Sequence, residues 1–84
     1  MNSSVTNGKN LVAERVRSVR KKKRMTQKDL AGAIQLQGVM LDRMSINRIE
    51  SGSRCVNDYE LVAFSKALGV TVDWLLYGEE KKDR

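Results

Sequence analysis

The chain has 84 residues, a formal net charge of +6, no proline and no histidine. This length suits one small domain and leaves no room for a second hydrophobic core. Without histidine a Cys/His metal site cannot form, and the single cysteine, Cys55, excludes an internal disulfide and fits a reducing compartment. No apolar run approaches a membrane span, and the polar start MNSSVTNGKN lacks the apolar core of a signal peptide. We therefore expect a cytoplasmic protein with no membrane segment and no cofactor.

Positive charge is concentrated in the first third of the chain. Residues 9–28 hold nine Lys or Arg and one acid, a net charge of +8, whereas the remainder holds seven bases and nine acids and sums to −2. A basic end of this kind is typical of a phosphate-binding surface. A solvated surface with favourable charge at a helix C-terminus would have the same composition, so the charge alone does not decide between the two.

Start and stop signals predict five helices and no strand, with helices at about 10–24, 27–37, 43–51, 58–68 and 72–77. The four later helices each begin at an N-cap residue flanked by a hydrophobic staple. These N-caps are Thr26, Asp42, Asn57 and Thr71. Each of these four helices is followed by a glycine that can adopt the left-handed conformation: Gly38, Gly52, Gly69 and Gly78.

Apolar residues at helical spacing predict which faces are buried. In chain order these residues are Val12, Val16 and Val19, then Leu30, Ala31 and Ile34, then Leu61, Phe64, Ser65 and Leu68, and finally Val72, Leu75 and Leu76. The sequence therefore predicts an all-α, compact five-helix bundle over residues 10–77. Residues 1–9 are expected to form a flexible N-terminal arm, and residues 78–84 a flexible C-terminal tail.

The predicted helix at 43–51 has two chemically different edges. At about 100° per residue, Ile46 and Ile49 share one edge, and four residues share the opposite one: Arg43, Met44, Asn47 and Arg48. Arg pairs with O6 and N7 of guanine, Asn pairs with N6 and N7 of adenine, and Met can contact a thymine methyl group. An ordinary solvated face is the better interpretation of these residues in isolation. The capped helix before them and the basic segment shift the preference toward DNA bases.

Other residues are candidates for contacts with phosphate. Gln27 follows the Thr26 cap, so it lies in a first helical turn where backbone N–H groups and the positive dipole end attract an anion. Lys22 and Lys28 belong to the basic segment, and Ser53 and Arg54 follow Gly52 on the far side of the predicted third helix. The alternative for each is an ordinary solvent-exposed residue that does not contact a ligand.

Arg20 and Glu50 each follow a predicted core residue, Val19 and Ile49. Both are therefore candidates for a seam between the first and third helices, where we expect them to pair. On periodicity alone, two unrelated surface charges are about equally favoured.

Three segments together resemble the lambda repressor-like helix-turn-helix family, also called the XRE family. They are RVRSVRKKKRMTQKDLA, SINRIESG and ALGVTVDWLL, and the resemblance covers about residues 10–77. It implies a five-helix bundle in which the second and third helices read DNA. It also implies that Gln27 contacts phosphate, that Arg20 and Glu50 form a salt bridge, and that the third helix enters the major groove. The chain departs from the family by about five extra residues within QLQGVML, between the second and third helices.

The leading hypothesis is a nucleoid-associated transcriptional regulator of bacterial or prophage type, expected to be a repressor. It would bind double-stranded DNA as a homodimer, with half-sites about one helical turn apart. The alternative is a protein-interaction module, such as an antitoxin, that uses Trp74 and Tyr77 against an unknown partner. An enzyme is the least favoured class, because the chain has no His, no phosphate-binding glycine motif and no paired carboxylates at a plausible site.

Overall fold

A computed structural model of the protein describes residues 3–78, and this part of the chain consists of five helices joined by short connections. The helices are α1 (Ser3–Lys22), α2 (Gln27–Gln35), α3 (Arg43–Glu50), α4 (Asp58–Leu68) and α5 (Val72–Tyr77). No strand occurs within these residues. The predicted all-α five-helix bundle is therefore confirmed. The bounds predicted for α4 and α5 match, and α2 and α3 each end one or two residues earlier than predicted.

The first helix differs most from its prediction. It spans 20 residues and begins at Ser3, so residues 3–9, expected as a flexible arm, are helical in the structure. Their polar sequence shows no apolar period, but an established helix can grow by one hydrogen bond per added residue. The helix ends at Lys22 rather than residue 24, because Arg24 adopts a left-handed conformation with φ 59°. Residues 1–2 of the expected arm and residues 79–84 of the expected tail lie outside the described residues.

The predicted N-caps fix where α2 and α3 begin. The Thr26 side chain accepts a hydrogen bond from the Asp29 N–H at 2.9 Å, and the Asp29 carboxylate accepts one from the Thr26 N–H at 2.9 Å. This capping box lowers the pKa of Asp29, mainly through the hydrogen bond with the Thr26 backbone. At α3, the Asp42 carboxylate accepts from the Ser45 N–H at 2.8 Å, and this bond likewise lowers the pKa of Asp42. Both helices therefore start at the residues that the sequence predicts.

The hydrophobic core receives side chains from all five helices. Its fully buried members are Val16, Leu30, Ile34, Ile46, Ile49, Phe64, Leu68 and Leu75. The predicted core residues Ala31, Leu61, Ser65 and Val72 are half-buried. Leu76, also predicted to be buried, is 37% exposed, because α5 is a short helix that turns only its Leu75 side fully inward. Cys55 is exposed in the connection between α3 and α4.

Candidate nucleic-acid interface

The third helix has one buried edge and one edge in solvent, as its sequence predicts. Ile46 and Ile49 are 0% and 1% exposed and anchor α3 in the core. Arg43, Asn47 and Arg48 are exposed on the other side, and Met44 is 52% exposed. The four predicted base-contacting residues therefore share an accessible edge on a helix that its isoleucines hold in place.

The first turn of α2 lies beside this exposed edge. The Asn47 amide nitrogen approaches the Gln27 side-chain oxygen at 3.5 Å, and the Gln27 amide nitrogen donates to Glu50 Oε1 at 3.2 Å. These contacts fix the orientation of the Gln27 amide, since its nitrogen faces a carboxylate and its oxygen faces an amide. The N-terminus of α2, where an anion is favoured, is thus next to the edge of α3 that could read bases.

The expected pair between Arg20 and Glu50 is present and buried. Arg20 Nε and Nη2 donate to the two carboxylate oxygens of Glu50 at 2.6 and 2.9 Å. Arg20 Nη1 also donates to the Met25 carbonyl at 2.8 Å, so the same side chain holds α1, the turn before α2, and α3. The hydrogen bond to Glu50 raises the pKa of Arg20 above its ordinary value. The alternative of two unrelated surface charges is therefore wrong.

A second ion pair joins the connection after α3 to α4. Arg54 donates from both terminal nitrogens to Glu60, at 3.0 and 2.9 Å. Burial, the largest single influence, raises the pKa of Glu60, but hydrogen bonds from Arg54 and from the Asn57 N–H outweigh it and leave the pKa lowered. Arg54, a predicted phosphate contact, therefore already has an intramolecular carboxylate partner. Ser53, its predicted neighbour at the DNA backbone, is exposed and bonded to the Arg48 carbonyl at 3.3 Å.

The extra residues between α2 and α3 form an extended surface connection. Gly38 takes φ +86° just after α2, and Leu36 and Met40 are 85% and 77% exposed. Leu41, in contrast, is only 6% exposed and packs in the core immediately before the Asp42 cap. This buried residue therefore anchors the end of the connection to the core immediately before α3 begins.

Basic side chains surround the N-terminus of α2. Lys22 and Lys28, both predicted to contact phosphate, are exposed. Two further bases, Arg17 and Lys21, have no role assigned from the sequence beyond the basic segment. In the structure they line a cleft of about 340 Å³ together with residues of α2 and α3. Their spacing of four residues on α1, next to Arg20, is the sequence signal that could have identified them.

Within residues 3–78, none of the five helices has both the length and the apolar character needed to cross a membrane. Two short capped helices packed against each other define the class of helix-turn-helix proteins. The second of them has an outer edge in solvent and an inner edge anchored in the core, as α3 has here. A family model described as helix-turn-helix matches residues 16–75. The chain belongs to this family, and the resemblance to lambda repressor-like regulators inferred from its sequence is confirmed.

Two similar proteins support this assignment. Over 75 residues the chain is 36% identical to the HTH-type transcriptional regulator DicA of Escherichia coli (strain K12), which covers 88% of the chain. The chain spans about half of DicA, 52% of its length. Among solved structures, the P22 c2 repressor protein in complex with the synthetic operator 9T matches with a TM-score of 0.71 and 31% identity. That match covers 81% of this chain and 96% of the repressor chain.

Proposed function

We propose that this protein is a transcriptional regulator that binds double-stranded DNA sequence-specifically and reads the major groove with α3. The observation that carries the proposal is the position of Asn47, which is exposed on α3 within 3.5 Å of Gln27 at the start of α2. A single bound duplex can therefore present its bases to α3 and a backbone phosphate to the N-terminus of α2 at the same time. The P22 c2 repressor, a structural neighbour that was solved in complex with a synthetic operator, supports DNA binding by this fold.

The roles of individual residues follow from their chemistry and exposure. Arg43, Met44, Asn47 and Arg48 are proposed to contact bases, since they line the accessible edge of α3. Contacts with phosphate are proposed for Lys22, Gln27 and Lys28, at the end of α1 and the start of α2, and for Ser53 and Arg54, which follow α3. Arg54 would bring a guanidinium whose charge is already balanced by Glu60, so we expect its contribution to be the smallest of the basic residues.

We further propose that the protein binds a palindromic site as a homodimer and represses transcription by occupying a promoter. A two-fold symmetric pair would place its α3 helices about 34–36 Å apart, one turn of DNA. Tyr77 and Leu76 on α5 are 69% and 37% exposed and offer apolar surface for association. No catalytic step is part of this function, and binding to DNA would keep the protein at the nucleoid.

Selection of bound duplexes from a random pool tests the proposal, because it yields the preferred site, its symmetry and its spacing. On the selected duplex, Asn47→Ala should weaken binding by roughly 1–3 kcal/mol and remove the preference at one base pair. Arg54→Ala serves as a comparison outside the base-reading edge and should leave every base preference unchanged. An equal loss for Asn47→Ala on selected and random duplexes would contradict a base-reading role.

The exposed aromatic residues also favour a second candidate, a protein-interaction module. Tyr59 and Tyr77 are 60% and 69% exposed, and Trp74 is half-buried against the core. Large aromatic side chains are enriched at protein interfaces. A wild-type protein that fails to shift a labelled random duplex even at low salt would favour this candidate over DNA binding.

A further inference from the structure

The outer face of α4 lies in solvent within the described part of the chain. At about 100° per residue, four of its side chains fall within about 100° of one another, on the side away from the buried Phe64. All four are exposed: Asp58, Tyr59, Val62 and Lys66. Tyr59 and Val62 are 60% and 44% exposed, so apolar surface lies between the two charged ends of this face.

The charges at the two ends of this face suit a second copy of the same face. Neither Asp58 nor Lys66 forms an ion pair with a residue whose side chain the structure describes. Eight residues separate them, or about 12 Å along the helix axis, which is too far for a pair within one chain. In an antiparallel pair of α4 helices from two copies, Asp58 faces Lys66 of the second copy, because both lie four positions from Val62. Two-fold symmetry repeats this contact at the other end, so the face is complementary to itself.

A groove adjoins the C-terminal half of this face. It has a volume of about 510 Å³ and a mostly apolar lining, and Gly69, Val70 and Trp74 border it next to Lys66. The Ser65 hydroxyl, also at the groove, donates to the Val70 carbonyl at 2.6 Å, so these two polar groups are already paired. The groove is therefore suited to an apolar ring rather than to a polar ligand.

Antiparallel pairing brings Tyr59 to this groove. Tyr59 lies three positions before Val62, and Ser65, at the border of the groove, lies three positions after it. Each Tyr59 ring therefore comes next to the groove of the second copy. Exposed tyrosine rings are enriched at protein interfaces because they bury a large apolar area and keep a polar hydroxyl at the edge.

We propose that two copies of this protein associate in the absence of DNA through α4, with the two helices antiparallel and crossing at Val62. Asp58 of each copy pairs with Lys66 of the other, and each Tyr59 ring packs against Trp74 of the other. This inference rests on the proposed homodimer, whose contact surface it names, and does not depend on DNA binding. It assigns the contact to α4 and the groove beside it, and not to the exposed C-terminal end of α5.

Charge reversal at the two ends of the face tests this proposal. Sedimentation equilibrium without DNA gives the dissociation constant of the dimer for wild type, Asp58→Lys, Lys66→Asp and the double variant. Each single reversal turns two attractive contacts into two repulsive ones, so it should raise the dissociation constant at least about tenfold. The double reversal restores opposite charges and should return it to within about threefold of wild type. Glu14→Lys makes the same charge change at an exposed position on α1 and is the matched control, with the wild-type value expected.

The fluorescence of Trp74, the single tryptophan, tests the position of Tyr59. Trp74 lines the groove, so its emission should shift to longer wavelength on dilution of wild type, when dissociation returns the indole to water. Tyr59→Ala should raise the dissociation constant and remove most of this shift. The substituted side chains are exposed, and far-UV circular dichroism should show unchanged helix content for every variant.

Three results would overturn the inference. They are a double reversal that associates no better than the single reversals, a wild-type protein that stays monomeric to about 1 mM, and dissociation by Tyr77→Ala but not by Asp58→Lys. Because no DNA is present in these measurements, each result leaves the proposed DNA binding standing. Failure of wild type to shift a labelled duplex at low salt would overturn that function and leave the contact through α4 unaffected.

Discussion

The buried pair of Arg20 and Glu50 offers the most demanding test of how this domain is held together. Arg20 is 8% and Glu50 9% exposed, and the carboxylate accepts two hydrogen bonds from Arg20 and one from Gln27. Glu50→Ala removes all three acceptor contacts at once. It leaves the guanidinium in a site with little access to water and only the Met25 carbonyl as a partner.

Removing one member of a buried ion pair costs about 3–5 kcal/mol, since the remaining charge is uncompensated. A domain of this length has a total stability of about 4–13 kcal/mol, from roughly 0.05–0.15 kcal/mol per residue. We therefore expect Glu50→Ala to lose a large share of the free energy of unfolding. An exposed ion pair would cost about 0–1 kcal/mol, so the two cases are well separated.

Replacing both charges separates the stability that the ion pair contributes from the cost of leaving one buried charge without a partner. Arg20→Met combined with Glu50→Leu removes both ions and fills the site with apolar side chains, a change that is often neutral or stabilising for buried pairs. Here the double variant also deprives the Met25 carbonyl of its 2.8 Å hydrogen bond from Arg20. We expect it to recover most of the loss caused by Glu50→Ala but to remain about 1–3 kcal/mol below wild type.

Urea unfolding at neutral pH measures these differences. Trp74, the single tryptophan, packs against the core and reports tertiary structure by fluorescence, while circular dichroism reports the helices. Glu14→Gln, an exposed acid on α1, is the control and should stay within about 0.5 kcal/mol of wild type. A Glu50→Ala protein within about 1 kcal/mol of wild type would refute the assignment of a buried, stabilising pair.

Three further predictions concern stability. Arg24→Gly should raise the free energy of unfolding in urea by about 1 kcal/mol, because Arg24 has φ 59°; Arg24→Ala, which removes the same charge but keeps a Cβ, should give no such gain. Asp42→Ala should lower the urea midpoint by removing the cap of α3, whereas Asp42→Asn should keep most of the stabilisation that the cap provides. Equal midpoints for the two variants would argue against a capping role. The pKa of Glu60 is lowered in the folded protein, so the ionised carboxylate stabilises the fold. This stabilisation is fully present above pH 4.5, the ordinary pKa, and is lost as the pH falls through the lowered pKa. Glu60→Gln should therefore flatten the fall in melting temperature below pH 4.5, and an unchanged fall would count against this linkage.

Much of the site could be predicted from sequence because its determinants are local. The hydrogen bonds that cap α2 and α3 join residues three apart, and the glycines that close helices act through their own φ angle. Once α3 is known to begin after Asp42, the period of the helix assigns Ile46 to the core and Asn47 to solvent. The exposure of the edge that is proposed to read bases could therefore be predicted from the spacing of residues alone.

Only the tertiary structure decided the contacts between helices. From the period of α1, Arg20 could equally be a surface charge or the partner of Glu50. The pairing joins residues 30 apart in the chain and depends on how α1 packs against α3. The same packing brings Arg17 and Lys21 to the cleft beside Gln27. Their spacing on α1 shows that they share a face of the helix but not that this face meets α2 and α3. Short-range hydrogen bonds fix where a helix begins and which side faces inward. The meeting of two exposed side chains depends on distances and angles between helices, which the whole core sets together.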